Sequence, residues 1–234
     1  MNAPRHPIVG IIGGMGPEAT VDLMRRIIAR TPAEDDQDHV HLIVESNPKI
    51  PSRIAHLVAR TGEDPTPELV RIARNLEAAG ASLLAMPCNT AHGYAAAIRS
   101  AVRIPLLDMV QLSAARVSAA APGPRIGLLA SSAVHRTALY ASALAPYGMH
   151  IVVPRRQEAV MDLIRRVKRG QSGAAECGTF RDLAAQVGTE SDLLLIACTE
   201  LSMLAAGLPA APPVIDSLDV LTDAILAAAL PQHA

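Results

Sequence analysis

Aromatic side chains are almost missing from this chain of 234 residues: there is no tryptophan, and Tyr94, Tyr140, Tyr147 and Phe180 are the whole set. Stacking platforms for single-stranded nucleic acid are thereby excluded, and any core has to be built from Ala, Val, Leu and Ile. Charge of one sign is missing too. With 21 Lys and Arg against 22 Asp and Glu the net charge is -1, so nothing attracts the chain generally to nucleic acid or to an anionic membrane. The arginine groups, Arg25 with Arg26, Arg155 with Arg156, and the run from Arg165 to Arg169, read as solvated helix faces. No apolar run reaches the roughly 18 residues of a membrane span, and M-N-A-P-R-H at the start lacks the apolar region of a leader. A cytoplasmic protein without membrane attachment is the expectation. The three cysteines, Cys88, Cys177 and Cys198, have no metal-ligand spacing, so no metal is expected. A reducing compartment also argues against a disulfide.

What is present is core material. Half the residues are hydrophobic and 18% are charged, a composition that excludes disorder and suits one large domain or two of about 110 residues. Short apolar runs alternate with helical patterns along the chain, which predicts an α/β protein with parallel sheets buried on both faces. Strands are expected at Pro7–Ile12, His39–Ser46, Ser82–Met86, Ile104–Asp108, Arg125–Ala130, Met149–Pro154, within Ser191–Ala197 and at Pro212–Asp216. Helices are expected at Val21–Ile28, from Thr66 to a C-cap at Gly80, His92–Val102, Gln111–Ala121, from Ser131 through Tyr140, Gln157–Lys168, Phe180–Val187 and Val220–Leu230. The A-P-G-P segment, Ala121–Pro124, is the candidate hinge. The expected division is therefore 1–115, 116–208, and a C-terminal strand and helix, 209–234, returning to the first unit.

Two stretches share one grammar. Ser82–His92 runs an apolar strand into P-C-N-T-A-H, and Ser191–Glu200 runs another into C-T-E. Cys88 and Cys198 thus sit at strand ends where helices begin, and free N–H groups at such a start favour a thiolate. Asn89 or Thr90 is available to cap the helix after Cys88. Two cysteines facing each other from similar half-chains suit a two-base reaction, one removing a proton from a carbon and the other delivering a proton to its opposite face.

Other stretches point to binding. G-M-G-P-E-A, Gly14–Ala19, fits G-x-G-x-x-A, but Glu45 lies too far on for the acidic partner of a dinucleotide fingerprint, usually about 20 residues downstream. The glycines also suit a tight turn or a small anion. Asn47–Arg53, N-P-K-I-P-S-R, is a rigid loop with cations at a strand end, the kind of segment that holds a carboxylate or phosphate.

Met86–His92, Ala197–Leu201, Gly14–Pro17 and Asn47–Arg53 together resemble the aspartate/glutamate racemase family, most closely its aspartate racemase branch, over nearly the whole chain. The resemblance implies two pseudo-symmetric three-layer α/β domains around a cleft, commonly a homodimer, and amino-acid racemisation without a cofactor. It implies that Cys88 and Cys198 are the proton carriers, that Arg53, Asn89, Thr90 and Thr199 bind substrate carboxylate, that Met15 lies beside the substrate, and that Lys168 contacts the side chain of an anionic amino acid. Lys49, Ser52, His92 and Glu200 are secondary candidates. The chain departs from the family pattern at Lys49 and Ser52, where Gln and Asp are usual, and at Asp108, where His is frequent. These departures bear on substrate choice. Glutamate or broader racemisation, a hydantoin racemase, a decarboxylase, a cis–trans isomerase and a non-catalytic binding module remain as alternatives, and a dehydrogenase rests on the Gly-rich turn alone.

Overall fold

The computed structural model describes residues 6–230. Strand β1, Val9–Gly13, leads into helix α1, Pro17–Arg30, with Pro17 at the first helical position where its missing N–H costs nothing. Strand β2, Leu42–Ser46, begins three residues later than its sequence pattern suggests. Helix α2, Thr66–Ala78, ends ahead of Gly80, whose φ of +102° closes it as expected. Strand β3 is Leu83–Ala85, and after Cys88 a 3₁₀ segment, Thr90–Tyr94, precedes helix α3, Ala95–Ala101. Helix α4 is Met109–Ala120. The order β2-β1-β3 makes a parallel sheet.

A second parallel sheet follows. Strand β4, Arg125–Ala130, matches its expected bounds. The helix expected after it is two, α5, Ser132–Arg136, and α6, Leu139–Leu144, divided at Ala138, whose φ of +54° interrupts the ladder. Strand β5, His150–Val152, is followed by helices α7, Gln157–Val167, and α8, Ala174–Gly188. Strand β6, Leu193–Ala197, short helix α9, Thr199–Ser202, strand β7, Val214–Asp216, and helix α10, Ser217–Ala229, complete the chain. Their order is β5-β4-β6-β7.

The two regions repeat one plan. Gly10 pairs with Leu84 and Gly127 with Leu194, and in each case a cysteine follows that leucine by four residues. A Cβ on either glycine would lie within 2.9 Å of that same leucine, so the close strand packing is built identically twice. Leu84 also meets Leu106 in a single parallel bridge, all that remains of the strand expected at Ile104–Asp108, just as Leu194 meets Val214 of β7. Asp108 then caps α4 through Val110 and Gln111 N–H, and Asp216 caps α10 through Leu218 N–H.

Both sheets are covered on both faces. Ile12 and Leu84 pack under α2 and α3, while Val9, Ile11, Leu83 and Ala85 face α1, α4 and α10. In the second region Leu129, Leu194 and Ile196 face α7 and α8, and Ile126, Leu128, Leu193 and Leu195 face α4 and α6. Helix α4 therefore serves both cores. The C-terminal segment splits: β7 stays with the second sheet because Val214 and Ile215 continue its ladder, whereas α10 packs over the first. Partly buried Arg26 on α1 locks this return, with Nη1 at 2.8 Å from Asp216 and 2.6 Å from Asp219, Nε at 2.8 Å from Asp22 and Nη2 donating to Ser202 O. Burial opposes its charge, yet Asp216, Asp22 and Asp219 raise its pKa above the usual arginine value.

The Gly-rich turn is not a phosphate cradle. Gly14 N–H is taken by Thr20 Oγ1 at 2.9 Å, and Gly14, at φ +93°, lies so near the Asn47 backbone that a Cβ would come within 2.5 Å of three of its atoms. Gly14→Ala combines a left-handed φ with a backbone clash, so a loss of roughly 3 kcal/mol is expected. Urea unfolding measures it, and an unchanged midpoint would refute the packing role.

Candidate active site

Each cysteine leaves the carboxyl end of a strand that is buried along its length, at the edge where a parallel α/β sheet presents its loops. Cys88 and Cys198 are both 7% exposed and line one cavity of about 50 Å³, together with Met15, Ser52, Arg53 and Lys168. Asn89, Thr90, Thr199 and Glu200 also line it. All three cysteines are free. Cys177 sits on α8, outside the cavity.

The first half holds Cys88 through its backbone. His92 Nδ1 lies 2.9 Å from Cys88 O, and Met109 N–H donates to His92 Nε2 at 3.1 Å. Nδ1 therefore carries the proton, both nitrogens are committed, and the imidazole is neutral; burial pushes its pKa below the ordinary value. His92 does not line the cavity, so it acts on the cysteine carbonyl and not on the thiol. Asn89 and Thr90, expected as helix caps, do not cap. The Asn89 amide donates to Ser217 Oγ at 3.1 Å and accepts from Tyr140 OH at 2.5 Å, a buried cluster joining α10 and α6 to the cysteine loop. Thr90 Oγ1 lies 3.4 Å from Ser131 Oγ.

The second half differs. Cys198 Sγ donates to Glu200 Oε2 at 3.1 Å, and Glu200 Oε1 lies 3.4 Å from Lys168 Nζ, close enough to pair as ions although outside hydrogen-bond geometry. Burial first, and the Glu200 carboxylate second, push the Cys198 thiol well above its usual pKa, with Lys168 working the other way. Burial alone would lower the Lys168 pKa, but Glu200 and the two cysteines outweigh it and raise it. Ser202 Oγ donates its one proton to Asp216 at 2.7 Å, and Cys198 O is held by the main-chain N–H groups of Leu201 and Ser202 at 2.9 and 3.1 Å.

Arg53 reaches the cavity from a π-helical stretch at Ala55–Ala59 that the sequence pattern does not announce. Its Nη1 donates to Ile50 O and Pro51 O, and its buried Nε has no partner. Lys49 is exposed and outside the cavity: its N–H donates to Asn47 Oδ1 at 2.9 Å in the turn of the loop, and Ser52 and Arg53 line the cavity instead. Residues not singled out in the sequence are Ser131, Ile54 and Ile164. Ser131 reads as a helix cap, which it also is, and the two isoleucines carry no signal beyond apolarity. Among the described residues no group of His, Cys, Asp and Glu could hold a metal ion, and no helix is long and apolar enough to cross a membrane.

The sequence model of the Asp/Glu/Hydantoin racemase family matches residues 12–225. The chain belongs to that family. As a member it is an isomerase of the racemase class, and the Gly-rich turn carries no dehydrogenase. An aspartate racemase from Picrophilus torridus is 32% identical, superposes with a TM-score of 0.85, and is matched over 95% of this chain and 94% of its own. A protein of Bacillus subtilis named broad specificity amino-acid racemase RacX is 25% identical over 218 residues, 90% of this chain and 92% of that protein. Glutamate racemase from Francisella tularensis, solved with D-glutamate, is 14% identical with a TM-score of 0.63 over 95% of this chain and 80% of its own, a likeness of fold.

Neutral His92 has a consequence for stability in this racemase. The unfolded chain takes up a proton at His92 near pH 6.5 and the folded chain only below that, so stability falls as pH drops through this window. His135, whose pKa burial also lowers, adds to the effect. Each group contributes at most about 1.4 kcal/mol per pH unit. Urea midpoints at pH 7.5 and 5.5 are expected to differ, and His92→Gln to flatten the slope; a slope identical in the variant would show that His92 is charged in the fold.

Proposed function

We propose that this chain is a cofactor-independent amino-acid racemase interconverting L- and D-aspartate, with Cys88 and Cys198 as the two proton carriers. The reading is carried by one observation: two thiols at equivalent strand ends line a single cavity that also holds Arg53 and Lys168. One thiolate takes the α-proton, an S–H bond forms, and the C–H electron pair moves into the α-carboxylate as an enediolate. The opposite thiol then gives its proton to the other face of the carbon, inverting it. The two sulfurs have exchanged protonation states, and solvent protons reset them. Donors that meet the carboxylate as charge develops there lower the barrier most. The hydroxyls of Thr90 and Thr199, backbone N–H groups near Asn89 and the unpaired Nε of Arg53 are the donors on the cavity. Because the Asn89 amide is already bonded to Tyr140 and Ser217, its share is through the main chain.

Arg53 and Lys168 supply two cations for a substrate with two carboxylates, and Met15 supplies an apolar wall. Ser52 lies on the same wall. The Picrophilus likeness favours aspartate. The RacX likeness favours a broader range. The thiols have to stay reduced to exchange protons, which suits a cytoplasmic setting. A division at about residue 115, with a hinge at Ala121–Pro124 and α10 returned to the first unit, would let a cleft open for substrate. A C2 homodimer with a whole cleft in each subunit belongs to the same reading, and light scattering at 24.5 kDa, the mass of one chain, would exclude it.

Chiral chromatography over the common amino acids tests the substrate: aspartate is expected to racemise fastest, and a faster apolar amino acid would exclude an acidic preference. Cys88→Ala and Cys198→Ala are each expected to abolish racemisation, with Cys177→Ala within a few-fold of the parent. During racemisation in D2O the newly formed enantiomer is expected to carry α-deuterium while the remaining substrate stays protiated. Equal early labelling of both enantiomers would mean a single exchanging base.

A further inference from the structure

The two cysteines follow equivalent strand positions, but the residues two positions on differ. Thr90 follows Cys88 and turns to Ser131, whereas Glu200 follows Cys198 and binds its sulfur at 3.1 Å. Glu200 is itself buried at 7% exposure, and its second oxygen faces Lys168 at 3.4 Å. A two-thiol exchange needs one thiol and one thiolate at the start. A symmetric site would leave that choice open, and a carboxylate on one sulfur alone decides it.

Building on the two-thiol reading, we infer that Glu200 is a positioning residue that assigns the resting roles, holding Cys198 as the proton donor and leaving Cys88 as the base. The charged groups that face Cys198 come from four elements: Glu200 on α9, Lys168 beyond α7, Arg53 from the segment after β2, and Cys88 beyond β3. Arg26 reaches α9 only at Ser202 O and is saturated by aspartates. Once Cys198 has delivered its proton, its thiolate stands beside a carboxylate, and only Lys168 offsets that repulsion directly. The resting enzyme is accordingly poised for the enantiomer whose α-hydrogen faces Cys88.

The two cysteines are equally exposed as residues, at 7% each, so their alkylation can be compared directly. Native protein without substrate is alkylated with iodoacetamide from pH 6 to 10, and each cysteine is followed by peptide mass spectrometry. Cys88 is expected to react about tenfold or more faster than Cys198 at pH 8, and Glu200→Gln to raise the Cys198 rate about tenfold with a smaller change at Cys88. Lys168→Met is expected to slow Cys198 further, and Glu200→Asp to keep it slow. Equal pH profiles for the two cysteines in the parent protein, or a Cys198 rate within twofold in Glu200→Gln, would overturn the inference. If Glu200→Gln does not fold, the parent profiles and Glu200→Asp still decide. Kinetics give a second readout: enantiomers are equally stable, so kcat/KM must match in both directions, and Glu200→Gln is expected to change the ratio of the two kcat values with an equal change in the KM ratio. Absence of racemisation with the alkylation gap intact would sink the racemase reading and leave the assignment of Glu200 standing.

Discussion

Helices α4 and α10 are the joint on which the site depends. Each begins at an aspartate cap beside a cysteine strand, and α4 contributes apolar side chains to the cores of both sheets while α10 leaves the second sheet to cover the first. A parallel sheet has to bury both faces, and here neither region does so with helices of its own alone. Sharing α4 and crossing over with α10 ties the orientation of one sheet to that of the other, and both cysteine edges come to one cavity as a result. The Arg26 cluster and the Tyr140–Asn89–Ser217 cluster reinforce the joint with buried polar contacts. Removing one partner of such a cluster leaves a buried group unsatisfied, which costs more than the bond itself contributes.

Much of this was legible in the residues because the periodic signals are strong. Apolar runs such as Leu193–Ala197 have one reading in an alternating α/β pattern, and the paired cysteine contexts pointed to equivalent positions before any register was known. What stayed hidden was set by tertiary contacts. Ala138 adopts a left-handed φ that no alanine announces, so one expected helix is two. Ile54 looks like a loop residue but packs against the core of the second region, which places Arg53 on the cavity. Lys49, four residues earlier on the same loop, carries the same charge and faces outward. Charge type is readable from sequence; the direction in which a loop turns is not.

The fold also fixes the main chain of the two cysteines in the same way. His92 and Ser202 both stand four residues past a cysteine and engage its carbonyl, His92 through an imidazole anchored to the start of α4 and Ser202 through its main-chain N–H, with its hydroxyl on the cap of α10. At the sulfur itself the two cysteines differ, because Glu200 is bonded to Cys198. A clamp on the carbonyl fixes the Cα of each cysteine and leaves the Cys88 thiol free to rotate toward the cavity, while the Cys198 thiol is also held by Glu200.

The same doubling accounts for the two cations. Segments that follow the edge strands are topologically equivalent: the one after β2 carries Arg53 and the one after β5 is α7, ending at Lys168. In the second region that segment is a helix of 11 residues, and in the first it is a π-helical turn of 5. An α-carbon placed between the two halves presents the same hydrogen to either side in its two enantiomers, so the proton carriers are best matched. The rest of an amino acid has no such symmetry. On the proposed function its carboxylates and ammonium group require different partners, for which a short arm on one side and a longer helix on the other leave room without disturbing the paired strands beneath. Symmetry is kept in the strand register that places the two cysteines, and is broken in the edge segments and at Glu200, where the proposed substrate and the proposed starting protonation state are themselves unsymmetrical.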